Sequence, residues 1–113
     1  MKPEATFGLD YAMKMLYRDS VPRETVEKVG RYIENNLEVW QRFEKYTLEA
    51  IEREVVVGAK AVAERIRWDG YFIDGDGFKV SNTYIAYLAR IFMYKYPMHK
   101  GYFKLKPIKG VTS

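Results

Sequence analysis

Hydrophobic residues recur every three or four positions in five stretches of this chain, which is the spacing of an amphipathic α-helix. In the first stretch, Tyr11, Met15 and Leu16 fall on one side. Ser20 suits the N-cap of the second stretch because its hydroxyl can accept a hydrogen bond from the first turn. The pattern predicts helices over residues 4–18, 20–34, 37–54, 59–68 and 82–96.

Two further stretches indicate β structure. The Asp69-Gly70 pair is typical of a helix end, and the aromatic and β-branched runs 71–73 and 78–80 flank a glycine-rich loop. That arrangement predicts a β-hairpin. In residues 102–108 polar and apolar side chains alternate, which favours an extended, basic strand.

Together these elements predict an α+β fold that is mainly helical. We expect a single domain, residues 1–113, with helix-turn-helix or winged-helix-like packing, a β-hairpin and a basic C-terminal strand. Within it, residues 1–34 form an N-terminal helical pair, residues 35–106 the core and residues 107–113 a tail.

Charge is distributed unevenly along the chain. The 37 residues from Gly77 to Ser113 hold seven Lys or Arg, no Asp or Glu and the single histidine, whereas the first 76 residues hold 12 basic and 15 acidic residues. Basic charge interleaved with tyrosines favours contact with phosphates and bases, although a solvated basic tail shows the same composition.

The absence of cysteine excludes disulfides and thiolate chemistry, and no cofactor is implied. No apolar run is long enough to cross a bilayer and no signal-peptide pattern is present, so we expect a soluble cytoplasmic protein.

The helix predicted over residues 82–96 has two different sides. A core stripe, at helical spacing, comprises Ile85, Leu88, Ala89 and Phe92. The opposite side presents hydroxyl, phenol and guanidinium groups, namely Thr83, Tyr87, Arg90 and Tyr94. Because Arg and Asn side chains read base edges and lysines bind phosphates, we expect a nucleic-acid-binding protein, with duplex DNA as its partner. The expected base-side residues are Asn82, Thr83, Tyr84, Tyr87 and Arg90, and the expected phosphate contacts are Lys79, Lys95, Lys104, Lys106 and Lys109.

Three alternatives remain open at the level of sequence. Tyr87 and Tyr94 suit packing against the N-terminal helices or a second subunit, and the same tyrosine and arginine side suits a protein-binding module that docks on a host protein or on itself. The third alternative is a magnesium-dependent nuclease that uses a cluster of charged residues: Glu64, Asp74, Asp76 and Lys79. The spacing from Asp76 to Lys79 is one residue too long for the usual nuclease pattern, so an enzyme is the least favoured reading. Trp68 is expected in the core.

Four strings of the sequence resemble a small family of uncharacterised proteins from bacteriophages and prophages. They are EVWQRFEKYTLEAI (38–51), GAKAVAERIRW (58–68), FKVSNTYIAYLARIFMYKYP (78–97) and GYF (101–103). The third is similar to the family pattern FKxNNxYxxYxARxFM, with Ser81 in place of its first asparagine. The resemblance covers residues 35–106 and implies a small phage or mobile-element protein acting in the host cytoplasm, where such proteins often bind DNA or block a host factor.

Overall fold

The structure is a computed structural model that describes residues 8–73 and 80–104. Within these residues the chain forms α-helices and one short 3-10 helix, and no β-strand. In chain order the elements are α1 (Leu9–Arg18), α2 (Arg23–Asn35), α3 (Leu37–Glu52), α4 (Ala59–Ile73), α5 (Asn82–Lys95) and the 3-10 helix (Pro97–His99). The predicted α+β, winged-helix-like class is therefore wrong. None of the helices in the described part of the chain is long and apolar enough to cross a membrane.

The predicted first strand of the hairpin is the last turn of α4. The helix continues through Asp69 and Gly70, although a helical glycine costs about 1 kcal/mol relative to alanine. The Asp69 carboxylate accepts hydrogen bonds from the Tyr46 hydroxyl and from Nη1 of Arg42, the latter at 3.1 Å. Because these two partners lie on α3, they anchor the end of α4 to its neighbour, and residues 71–73 stay helical.

The predicted C-terminal strand is also wrong where the structure describes it. Residues 102–104 lie in an irregular turn after the 3-10 helix. Phe103 is buried there, with its ring centroid 5.7 Å from that of Phe43, so one core aromatic determines the path of this segment. Residues 74–79 and 105–108, which would complete the hairpin and the strand, lie outside the described residues.

Helices α1 and α3 end in the same way, with a non-glycine residue in the left-handed region. Ser20 has φ 69°, and its N–H donates to the carbonyl of Tyr17 (3.0 Å) while the N–H of Val21 donates to that of Leu16 (3.2 Å). This is the Schellman pattern that satisfies the last helical carbonyls. Glu54 (φ 58°) closes α3 with the same pattern. The prediction that Ser20 caps α2 is therefore wrong, because its N–H bonds a carbonyl at the end of α1.

Helix α5 lies at the centre of the fold. Helices α1, α3 and α4 and the 3-10 helix all pack against it. The Ser81 side chain caps it by accepting a hydrogen bond from the N–H of Thr83 (3.2 Å). All four residues of the predicted core stripe are buried, and Ile91 extends the buried surface beyond that stripe. The buried residues of α5 are Ile85, Leu88, Ala89, Ile91 and Phe92.

Replacing Phe103 by alanine tests the path of the C-terminal segment. The ring contacts both Phe43 and Phe92, so Phe103→Ala should lower the free energy of unfolding by about 3–5 kcal/mol. Urea denaturation followed by tryptophan fluorescence measures this change. The exposed Tyr17, replaced by alanine, is the control and should change stability by less than about 0.5 kcal/mol. If Phe103→Ala unfolds at the wild-type urea concentration, the ring is not part of the core.

Candidate binding cleft between α1 and α5

Helix α1 packs along the side of α5 that was expected to read bases. Tyr87, Arg90 and Tyr94 are half-buried, and both tyrosines pack against the hydrophobic core. The Nε atom of Arg90 is buried. A helix that enters the major groove must present its base-reading side chains to the DNA. Because these residues are half-buried, the open recognition side predicted for α5 is not formed. The alternative arrangement, in which this side packs against the N-terminal helices, agrees with these contacts.

Lys95 is engaged inside the fold. Its ammonium group pairs with the Glu44 carboxylate, and the same carboxylate oxygen accepts a hydrogen bond from the Tyr96 hydroxyl (2.8 Å). The Lys95 and Glu44 side chains are 19% and 18% exposed, and Nζ lies 6.0 Å from the Trp40 ring centroid. The pair links α5 to α3, which assigns Lys95 a structural role in place of the expected phosphate contact.

The first turn of α5 brings together three of the expected base-side residues. Asn82 is exposed, and its Oδ1 accepts a hydrogen bond from Nη2 of Arg67 (2.6 Å). Thr83 is also exposed. Tyr84 is half-buried, with its ring centroid 4.8 Å from that of Tyr32. Asn82 and Thr83 therefore remain accessible to a partner, whereas Tyr84 serves the packing of α5 on α2.

The remaining expected phosphate contacts are only partly described. Lys104 is exposed at the end of the described residues. Lys79, Lys106 and Lys109 lie outside them, so their expected contacts stay predictions.

Most of the magnesium hypothesis also falls outside the described residues, because Asp74, Asp76 and Lys79 lie there. Glu64 is described, and it accepts a hydrogen bond from Nη1 of Arg67 at 2.6 Å. Across residues 8–73 and 80–104, no three carboxylate or imidazole side chains lie together in a way that could hold a metal ion.

A cleft with a volume of about 500 Å³ opens between α1, α5 and the turn that follows α5. Aromatic and methionine side chains form most of its walls. We refer to it as the α1–α5 cleft, and its lining residues are Tyr11, Met15, Arg90, Met93, Tyr94, Pro97, Lys100, Gly101 and Phe103. Its size and its mainly apolar walls are those of a small-molecule or side-chain binding site.

The turn after α5 shapes one end of this cleft. Pro97 begins the 3-10 helix, and the chain then reverses at Gly101, whose φ of 88° is a conformation that glycine adopts without strain. The Gly101 N–H donates to Sδ of Met93 (3.3 Å), which holds the reversal against α5. This reversal places Phe103 in the core at the base of the cleft.

Arg90 and Lys100 provide positive charge in the cleft, and no acidic residue is among its described lining residues. Lys14 and Lys104 are exposed and adjoin lining residues along the chain. Of the ion pairs within the described part of the chain, none involves Lys14, Lys100 or Lys104. A separate recess beside α3 is lined by three carboxylates (Glu44, Glu49 and Glu52) and one lysine (Lys45), so its charge suits an anion less well. The arrangement therefore favours an anionic ligand with a flat or apolar part in the α1–α5 cleft.

The sequence pattern did not identify the α1 side of this cleft. Tyr11 and Met15 lie on the hydrophobic stripe of α1, which fits a core position, yet Tyr11 is 40% exposed. The only sequence feature that indicates this side of the cleft is an aromatic residue and a methionine four positions apart. That combination suits both a core and an adaptable binding surface, so it does not distinguish them.

Comparison of the chain with models of known protein families, with curated proteins and with solved structures gave no match.

The role assigned to Lys95 can be tested by replacing it with alanine. Because Lys95→Ala leaves the half-buried Glu44 carboxylate without its cation, we expect a loss of about 1–3 kcal/mol in the free energy of unfolding. Urea denaturation measures it. The exposed Lys104→Ala is the control and should unfold like the wild type. If Lys95→Ala also unfolds like the wild type, the ion pair contributes nothing to stability.

Stability should also fall at alkaline pH. Burial raises the pKa of Tyr96, and its hydrogen bond to Glu44 raises that pKa further. Burial and a hydrogen bond to Asp69 likewise raise the pKa of Tyr46. Because the folded chain retains these protons where the unfolded chain releases them, the stabilisation is complete below about pH 10 and is lost as the pH rises above it. Melting temperatures between about pH 8.5 and 11 should fall less steeply for Tyr96→Phe than for the wild type. The exposed Tyr17→Phe should follow the wild-type curve, and identical curves for all three proteins would contradict the assignment.

Proposed function

We propose that this protein is a non-enzymatic nucleic-acid-binding protein and that it accepts single-stranded nucleic acid in the α1–α5 cleft. The observation that supports the proposal is the combination of rings and cations in one recess, with Tyr11 and Tyr94 beside Arg90 and Lys100. Stacking of a base on an aromatic side chain contributes about 1–3 kcal/mol, and cations neutralise the neighbouring phosphates. A nucleotide offers both an aromatic base and a phosphate.

The form of the cleft favours a single strand over a duplex. A recess of about 500 Å³ accommodates one or two splayed bases. In a duplex the bases are stacked inside and present only their edges, which are read by a helix lying in a groove. The side of α5 that would serve this purpose is occupied by α1. The duplex-DNA expectation is accordingly replaced, in this proposal, by recognition of unstacked bases.

The exposed basic residues near the cleft suit the path of a phosphate backbone. Lys14 lies on α1, and Lys100 and Lys104 lie in and after the turn that follows α5. These side chains are exposed, and Lys100 lines the cleft itself, so they are available to the phosphates of a flexible strand. The resemblance to phage and prophage proteins fits a role in a mobile element, acting on single-stranded intermediates in the host cytoplasm.

Replacing Tyr11 by alanine tests the proposal most directly. Tyr11 is 40% exposed, so Tyr11→Ala removes a stacking surface that a ligand can reach, and circular dichroism checks that the variant folds. We expect its affinity for single-stranded DNA to fall by about 5- to 150-fold, which corresponds to about 1–3 kcal/mol. Fluorescence anisotropy of a labelled oligonucleotide measures the affinity. The matched control is Tyr17→Ala, which changes a tyrosine of similar exposure (43%) on the same helix but outside the cleft lining.

Salt and strandedness complete the test. Wild-type affinity should fall steeply between about 50 and 200 mM salt, and Lys100→Ala should reduce that salt dependence. Preference for duplex, or equal losses in Tyr11→Ala and Tyr17→Ala, would place binding outside the cleft. Absence of binding to any nucleic acid at low salt would reject the function and favour an acidic, aromatic peptide as the ligand of the cleft.

A further inference from the structure

The turn after α5 is closed by hydrogen bonds of unequal strength. The N–H groups of His99, Lys100 and Tyr102 donate to backbone carbonyls at 2.8–3.0 Å. The Gly101 N–H donates instead to a thioether, the Sδ atom of Met93, at 3.3 Å. A thioether sulfur is a weak acceptor, so the bond that joins the turn to α5 is the weakest of the four.

This sulfur belongs to a side chain that solvent can reach. Met93 is half-buried, and it both packs against the core and lines the α1–α5 cleft. The hydrogen bond that it accepts lies in an exposed position. Thioethers that are open to solvent are oxidised to sulfoxides by peroxides. The cleft therefore gives a small oxidant access to the atom that holds the turn.

Two parts of the fold depend on the position of the turn. Lys100 lines the cleft, and Phe103 fills the core at its base. Gly101 lies between them with φ 88°, a backbone conformation in which a residue with a side chain would be strained. A displacement at Gly101 is therefore passed to the residues on both sides of it.

We propose that Met93 is an oxidation site, and that its sulfoxide opens the turn and weakens ligand binding in the α1–α5 cleft. Hydrogen peroxide is the oxidant. A lone pair of the sulfur forms a bond to one peroxide oxygen as the O–O bond breaks. A proton then passes from the bound oxygen to the departing hydroxide, which leaves as water. The sulfur loses two electrons and the peroxide gains them.

The sulfoxide changes both contacts of the Met93 side chain. Oxidation withdraws electron density from the sulfur and makes it a poorer acceptor for the Gly101 N–H. It also places a polar oxygen in a mainly apolar wall, and burying that oxygen without a partner is unfavourable. Both changes favour separation of the turn from α5, which displaces Lys100. The effect on binding rests on the function proposed for the cleft, whereas the opening of the turn does not.

Amide hydrogen exchange of the full chain, before and after treatment with hydrogen peroxide, tests the opening of the turn. Peptide mapping by mass spectrometry establishes that Met93 has gained one oxygen. The amides of Lys100 and Tyr102 should then exchange about three- to tenfold faster, because the closed turn has lost the stabilisation of one hydrogen bond.

The effect on binding is measured by fluorescence anisotropy with a labelled single-stranded oligonucleotide. The affinity of the oxidised chain should fall at least about threefold, because a smaller fraction of the molecules holds the turn closed. Each protein is compared with itself before and after peroxide, so a change of affinity caused by a substitution does not enter the comparison.

Two leucine variants separate Met93 from the other methionines. Met93→Leu nearly conserves the side-chain volume and cannot be oxidised, so its exchange rates and affinity should be the same before and after peroxide. Met98→Leu is the matched control. Met98 is 44% exposed but is not among the residues that line the cleft, so this variant should respond to peroxide as the wild type does.

Oxidation of Met98 with Met93 left intact would overturn the proposal, because the sulfur of Met93 would then be out of reach. Unchanged exchange after oxidation of Met93 would do the same, as would equal losses of affinity in Met93→Leu and the wild type. Faster exchange with unchanged affinity would reject the effect on binding. A chain that binds no single strand before treatment would reject the function of the cleft, and the exchange rates would still decide whether oxidation opens the turn.

Discussion

Burial of α5 on several sides is the constraint on which the rest of the structure depends. Helices α1, α3 and α4 and the 3-10 helix pack around it, and its central residues, such as Leu88 and Phe92, are inaccessible to solvent. A helix in this position has little surface left for a partner. A partner can then reach surfaces formed where other elements meet α5, as in the α1–α5 cleft, more readily than α5 itself.

The same constraint explains why the positive charge of α5 has two different roles. Lys95 projects toward α3, where its ammonium group pairs at low exposure with the Glu44 carboxylate, which also accepts a hydrogen bond from the Tyr96 hydroxyl. Arg90 projects into the cleft beside aromatic residues. Both side chains belong to the basic third of the chain, yet one joins two helices and the other lines the α1–α5 cleft. Composition records the charge of a segment, whereas packing decides which charges a partner can meet.

Local periodicity predicted much of the fold. Most of the buried residues of α5 follow from the spacing of its apolar positions, whereas residue type alone leaves the N-cap open between Ser81 and Asn82, and the structure places Ser81 there. The continuation of α4 could not be predicted, because Asp69 is held by residues 23 and 27 positions away. Gly70 and the aromatic run after it have the local preferences of a turn and a strand. Tertiary contacts outweighed those preferences.

The candidate site was less accessible to sequence reasoning than the helices were. Arg90 was predicted to read a base on an open side of α5, whereas it lines a cleft that exists because Tyr11, Met93 and Gly101 converge from three separate segments. Trp68 shows the opposite error, since its size suggested the core and its position on α4 exposes it. Residue type indicates what chemistry is possible, and the assignment to core or surface depends on contacts between segments.

The position of Phe103 has a consequence for how the chain acquires its structure. Its ring lies against Phe43 and Phe92, and the neighbouring Tyr102 bonds a turn that lies 45 to 47 residues earlier. During synthesis the core therefore has a vacant place until residue 103 has left the ribosome. The core beside Phe43 and Phe92 is therefore completed last, by an aromatic from the end of the described chain.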